Sequence, residues 1–552
     1  MSRVPFVALF GTLLSGAFAQ VGGPSQSQGV YLRPVNDDCI SRSLGLSELG
    51  STGQYFPSEY LGSFSPGSDS RLDTELSEAK RFDVTYYDTY KVVENKVSNR
   101  TYVLYECGSD KPDAATDDNV PGDAVFFQVP LTSLSVSETV PFAFLEALGV
   151  ADRVHDVSPY VTSACGQKLV ECSQVAPSYA DFLTSELNET ALDLGRRVSD
   201  AIILGSAGSQ AVAPVLAFDA EDDPGLLNRA EWIKYLSLFF NKEKEATVAY
   251  DAIVENYNEV KKQAAEAAAG AGSKPVIAWV THFEYDGEEH FDVSFAAYKK
   301  DLVEEVSGEL PAESAQALVD AIPGTRLSSF SNSTVEFAWD GEDTFESKEA
   351  ARAAFLEFLS TVDAVVDETY SMDPMTYDFV AEYGFGDAAP ADLLVYRLDG
   401  KLSESNGYDW FESSFVRPDL ALSDVQRIAD SVRQGKNKAD SEFTWLRNVE
   451  ETPVVVKADE CSRITTCGQK PATICPFVKP CSGGTTALLL EDDTCDSASK
   501  CCYESCAAVA GASSDAGNNE DGKKENAAQM AAPAVILVTL LVVFVEALLH
   551  LC

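Results

Sequence analysis

Basic residues are scarce in this chain. It has 552 residues, with 41 Lys and Arg against 87 Asp and Glu, a formal charge of −46 at pH 7. A field of that sign repels nucleic-acid phosphates and anionic headgroups, which excludes nucleic acid as a partner and peripheral binding to acidic membranes. Catalytic signatures are missing as well: the chain has no Gly-x-Ser-x-Gly elbow, no Walker A loop and no His-Glu-x-x-His zinc helix. The run from Gly384 to Ala389 loosely matches a dinucleotide fingerprint, but Pro390 and the strand expected after it deny the strand-to-helix context that such a site needs. The chain therefore reads as a non-enzyme.

What is present is an ordinary globular composition, 45% hydrophobic and 10% aromatic. The length allows about two to four packed units. Both ends carry addressing signals. Residues 1–19 combine Arg3, an apolar run from Val4 to Leu14 and the small-residue ending Ala17-Phe18-Ala19, the pattern of a secretory signal cut before Gln20. Residues 531–552 are hydrophobic, follow a polar spacer at 511–530, and have no basic residue after them. A GPI-attachment signal is expected there, with a simple membrane anchor as the alternative. The chain is thus expected to traverse the secretory pathway to the cell surface and stay tethered, with an extracellular body.

Thirteen cysteines fit that route. Without Cys552 in the tail, twelve remain to pair in an oxidising compartment. Eight of them, Cys461, Cys467, Cys475, Cys481, Cys495, Cys501, Cys502 and Cys506, crowd into a module at 457–510, leaving Cys39, Cys107, Cys165 and Cys172 for the rest. No Cys-x-x-Cys pair or nearby His accompanies the eight, so disulfides are expected rather than a metal. The module reads as a stalk that holds the body clear of the membrane, or as the contact for an uptake co-receptor. Sequons at Asn99, Asn188 and Asn332 mark glycosylated surface loops.

Between these ends the pattern is α/β. Residues 20–80 form an irregular leading segment. A first lobe at 81–223 alternates strand-like and helix-like runs. In the helical linker at 224–273, Ala246, Ala249, Tyr250, Ile253, Tyr257, Val260 and Ala264 form one stripe at spacings of three and four, predicting a continuous helix over 243–269. A second α/β lobe at 274–456 repeats the alternation. Such a layout places a largely parallel sheet in each lobe and suggests a ligand cleft between them.

The runs VPLTSLSVSETVPFAFLEALGVADRVHDV, LNRAEWIKYLSLFFNKEKEATVAYDAIVENY, FDVSFAAYKKDLVEEVSG and DWFESSFVRPDLAL, in this order, resemble the class III substrate-binding proteins of ABC importers for ferric siderophores and cobalamin. The resemblance covers about Arg81 to Val456. It implies two Rossmann-like lobes bridged by a rigid helix, and a small-molecule metal chelate as ligand. The chain is similar in particular to a secreted, membrane-tethered eukaryotic offshoot linked to surface capture of iron-siderophore complexes. Its sequons, cysteine module and tail depart from the bacterial pattern and argue against docking to an ABC permease. The expected function is a surface receptor for a ferric siderophore. Cobalamin or haem is the alternative ligand, and a surface adhesion protein with a degenerate cleft is the alternative class. No covalently bound cofactor is expected, and iron enters only as part of the chelate.

Ligands of open α/β sheets sit at the carboxyl ends of the strands. The loops expected there offer Ser137, Glu138, Thr139 and Ser206 to Gln210 from the first lobe. From the second they offer His282, Tyr285 and Tyr370, with Arg397 to meet an anionic chelate and Trp410 as part of an aromatic wall. His282 and His290, with Glu288 and Glu289 between them, could be offered as a metal site. Without a spacing that aligns the two imidazoles, this stretch reads instead as a turn carrying solvated acids, and no metal site is expected.

Overall fold

The computed structural model describes residues 62–63 and 76–461, except 88, 108, 137, 159, 173–178, 182–185, 188–198, 206–214, 286, 330, 340–343, 391 and 436–442. The expected signal sequence, most of the leading segment, the hydrophobic tail, Asn188 and all cysteines beyond Cys461 lie outside the described residues, as do Cys39 and Ser137. Asn99 and Asn332 lie inside and are exposed turn residues. No helix among the described residues is long and apolar enough to cross a membrane.

The fold is mixed α/β. In the first half, strands Leu134–Val136, Val154–Val157, Ala201–Leu204 and Val215–Ala217 form a fully parallel sheet. Beside it stands a second, five-stranded sheet that includes Phe82–Tyr86, Tyr90–Asn95, Arg100–Glu106 and Val125–Val129 and is antiparallel except at its last pair. The expectation of one largely parallel sheet was too simple here. The run Phe82 to Asn95 folds back on itself as a hairpin, in which Phe82–Tyr86 alternates buried and more exposed positions while Tyr90–Asn95 is buried at all but Glu94.

The second half holds a seven-stranded mixed sheet. Its central strands Ile277–Tyr285, Ala364–Asp367 and Leu394–Arg397 are parallel and rich in Val and Ile, as strands buried on both faces should be. Glu288–Ser294 adds to this sheet as the antiparallel partner of Ile277–Tyr285. Helices Ala297–Glu305, Lys348–Leu359 and Pro418–Arg433 cover its faces.

The long helix runs Glu243–Ala268, as the stripe predicts. Its apolar face enters two different cores: Ala246, Ala249 and Tyr250 pack with Trp232, Tyr235 and Phe239 of the first half, while Tyr257 and Ala264 pack with Trp279, Tyr298 and Leu302 of the second. Glu243 and Glu245 complement the positive helix start. Glu243 also pairs with the fully buried Lys91, which donates to Leu238 O at 2.9 Å and Asn241 Oδ1 at 2.8 Å.

A second link joins the halves. Cys165, on helix Ala164–Cys172, is bonded to Cys461 across 296 residues. Cys461 therefore does not pair inside the expected eight-cysteine module; a spacing pattern cannot show a partner that only the fold brings near. Cys107 is disulfide-bonded too.

Candidate functional site

Strand Ile277–Tyr285 outruns its parallel neighbour. Val280 pairs with Asp367, the last residue of that strand, so positions 281–285 rise beyond the carboxyl edge and pair only with the hairpin strand. Cross-strand partners share a face. The pairings His282 with Phe291 and Glu284 with Glu289 put His282, Glu284 and Glu289 on one side; those of Phe283 with His290 and Tyr285 with Glu288 put His290 and Tyr285 on the other. The two imidazoles therefore face opposite ways and cannot share a metal. His290 stacks on Phe283 at 4.6 Å, and burial holds it below the usual histidine value. Among the described residues no group of three or more His, Cys, Asp or Glu is arranged to hold a metal ion.

Like charges directly opposite on a sheet destabilise it, and here a helix answers them. Ser347 caps helix Lys348–Leu359 by accepting from Ala350 N. Lys348 and Arg352, one turn apart, then meet the two acids: Lys348 Nζ lies 3.0 Å from Glu284 Oε1, and Arg352 Nη2 donates to Glu289 Oε1 at 2.6 Å. Glu289 is thus buried rather than solvated.

The opposite wall is the segment after Asp367. Asp378 accepts from Ala381 N at 3.0 Å and starts the short helix Phe379–Glu382, which carries Glu382 to 3.2 Å from His282 Nδ1. Gly384, at φ 63°, lies so close that a Cβ there would stand 2.9 Å from the Arg352 guanidinium carbon. Below, Asp367 accepts from Tyr377 Oη at 2.6 Å and Tyr383 Oη at 2.9 Å, and burial together with this carboxylate pushes both phenols up.

These walls enclose an open cavity of about 640 Å³, within the range of small-ligand sites. Its lining is polar, with carboxylates from Glu284, Glu289, Asp373, Asp378 and Glu382 beside His282 and Arg352. Three side chains that line it keep a buried polar atom without a hydrogen bond: His282 Nε2, which stands 3.4 Å from Glu289 Oε1, Glu289 Oε2 and Arg352 Nε. Such orphans are uncommon in buried sites.

The sequence-predicted residues scatter. His282 lines the cavity, and Tyr370, exposed and stacked on Tyr408 at 5.7 Å, adjoins its lining residue Ser371. Tyr285 is on the far face of the hairpin. Arg397 is fully buried: it donates from Nε to Asp399 at 2.8 Å, from Nη1 to Asp367 at 2.6 Å and from Nη2 to Thr369 O at 2.8 Å. It supports the cavity floor and has no donor set facing a chelate. Trp410 is core, 2% exposed and packed on Trp279 and Trp445, beside a void of about 20 Å³. Glu289 was read as a solvated acid, and Arg352 and Glu382 were missed; the Lys348 and Arg352 spacing of four opposite a Glu-rich hairpin was the signal.

In the first half, Thr139 begins helix Thr139–Ala147, and Glu138 Oε2 accepts from Gly205 N at 2.8 Å at the carboxyl edge of the parallel sheet. Burial and the Glu138 carboxylate push Glu221 up to about 8. A carboxyl raised on folding adds stability that is complete below its ordinary value of 4.5 and is lost as pH rises through about 8. The difference in urea unfolding free energy between the native chain and Glu221→Gln should therefore change between pH 5 and 8, by at most about 1.4 kcal/mol per pH unit, with the native chain losing ground as pH rises. Equal pH dependence of the two would show that Glu221 is an ordinary surface acid.

No protein-family profile matches the chain, and no curated protein does. Among solved structures it is similar to a periplasmic haem-binding protein from Pseudomonas aeruginosa, at 14% identity and TM-score 0.37, over 58% of this chain and 98% of that one. A petrobactin-binding protein from Bacillus subtilis gives 12% and 0.35 over 56% and 93%. The vitamin B12-binding protein of Vibrio cholerae gives 10% and 0.32 over 54% and 98%. At such identities and scores these likenesses carry no weight for the site, whose reading rests on its own residues.

Proposed function

We propose that this chain is a solute-binding protein, not an enzyme, that captures a metal chelate at the carboxyl edge of its second sheet, and that the chelate is a ferric siderophore. The observation that carries this is the open 640 Å³ cavity at that edge, whose polar lining sets carboxylates beside His282 and Arg352. Such a lining offers both hydrogen-bond donors and acceptors to a polar ligand, as small-molecule sites do. The two α/β lobes, bridged by the long helix and joined by the Cys165–Cys461 bond, form a stiff frame that favours capture with little domain closure. The expected secretory signal and hydrophobic tail support a receptor tethered at the cell surface through its carboxyl terminus, an arrangement in which internalisation would need a separate uptake partner.

The test is titration of the full chain with a ferric hydroxamate siderophore, cobalamin and haem, followed by tryptophan fluorescence and calorimetry. Saturable submicromolar binding of the ferric hydroxamate is expected, weakened by His282→Ala. Tight binding of cobalamin or haem alone would replace the siderophore as ligand. No binding to any of the three by the folded protein would overturn the receptor reading in favour of a surface interaction protein.

A further inference from the structure

The bond between Cys165 and Cys461 leaves two odd sets of cysteines. Of the twelve ahead of the hydrophobic tail, ten remain: Cys39, Cys107 and Cys172 before the expected module, and seven within it from Cys467 to Cys506. Seven cannot all pair among themselves. Three cannot either, and Cys107 is already disulfide-bonded. Full pairing in an oxidising compartment therefore requires an odd number of further bonds to cross from the module to the earlier set.

The fold brings the start of the module to a place where such a bond can form. Gln167 Nε2 donates to Val456 O at 3.0 Å, the turn Ala458–Glu460 follows, and Cys461 then meets Cys165 with 4.7 Å between their Cα atoms. The chain thus leaves the second half against helix Ala164–Cys172 of the first. Position 172, at the far end of that helix, lies about 10 Å along the axis from position 165. The stretch from Cys461 to Cys467 reaches at most about 20 Å. A cysteine position of the first half is accordingly within span of the module's first cysteine.

We propose that a second disulfide joins the module to the first half or to the segment ahead of it. The module is then clamped across the junction between the halves, and is not a stalk swinging from Cys461 alone. Forming the bond takes two protons and two electrons from two thiols; they pass to the disulfide of a secretory-pathway oxidoreductase, which leaves as a dithiol. The two crossings are not interchangeable. Cys467 is the next cysteine after Cys461, so without Cys165–Cys461 the second bond leaves slack at the Thr162 contacts with Asp409 and Glu412.

The test is peptide mapping of the full chain, secreted by a eukaryotic host, freed of N-glycans and digested without reduction by trypsin and lysyl endopeptidase. Fragment 154–168 joined to 458–463 reports the Cys165–Cys461 bond. A fragment from within 464–523 should in addition be joined to 20–42, 101–111 or 169–196, which hold Cys39, Cys107 and Cys172. The chain should run as a monomer on a non-reducing gel and leave no thiol ahead of the tail open to alkylation after unfolding. Module fragments joined only to one another, with the odd cysteine alkylatable, bonded to Cys552 or bonded to a second chain, overturn the proposal.

Discussion

Arg397→Met should destabilise the protein by about 3–5 kcal/mol, the usual cost of removing one partner from a buried ion pair. The guanidinium is fully enclosed, donates to Asp367, Asp399 and Thr369 O, and lies 3.5 Å from the centre of the Tyr377 ring. Met fills similar volume but leaves Asp367 charged and buried, with the Tyr377 and Tyr383 hydroxyls and Thr369 N donating to it but no cation beside it. Asp399 suffers less because Arg447 still bonds it at 2.7 Å. Adding Asp367→Asn to the Met variant should therefore restore part of the loss, since the amide removes the stranded charge. Urea unfolding of the four chains gives the cycle. If Arg397 instead projected toward ligand, Arg397→Met would leave stability within about 0.5 kcal/mol, as surface substitutions do, and change affinity alone.

That residue also shows where the sequence stopped being legible. A cation at the end of a strand reads as an accessible ligand contact, and only the register that sets Asp367 opposite Arg397 reveals the pair. The long helix was legible because seven apolar positions repeat at helical spacing and bury one face along its length. The central strands were legible because runs such as Ala364–Asp367 are apolar on both faces. The hairpin strand Glu288–Ser294 was not: its acids and histidine look like a solvated turn until Arg352 is brought to Glu289 from 63 residues away. Trp410 misled in the opposite direction, since an aromatic residue near a loop says nothing about whether other tryptophans enclose it. Of the site, His282 and the neighbourhood of Tyr370 could be read; the carboxylates that define its chemistry needed the fold.

Loss of the Cys165–Cys461 bond, through Cys165→Ser with Cys461→Ser, should cost about 2–5 kcal/mol, since it closes a loop across 296 residues. The bond does not act alone. Close by, Thr162 N donates to Glu412 Oε2 at 2.7 Å and Thr162 Oγ1 to Asp409 Oδ1 at 2.6 Å, while Gln167 Nε2 donates to Val456 O at 3.0 Å. Burial and the neighbouring Asp409 push Glu412 well above its ordinary value, so the pair need not confront two charges. These polar contacts hold the halves in register, but they are short-range and lose their geometry once the chains separate. The bond keeps the effective concentration of the two surfaces high when they open. Thr162→Val should consequently destabilise the protein more in the serine background than in the native one. A double-mutant cycle in urea, followed by tryptophan emission, measures that coupling. Strictly additive losses would mean that the bond and the Thr162 contacts stabilise the junction independently, and that the staple does not preserve the interface on which the frame depends.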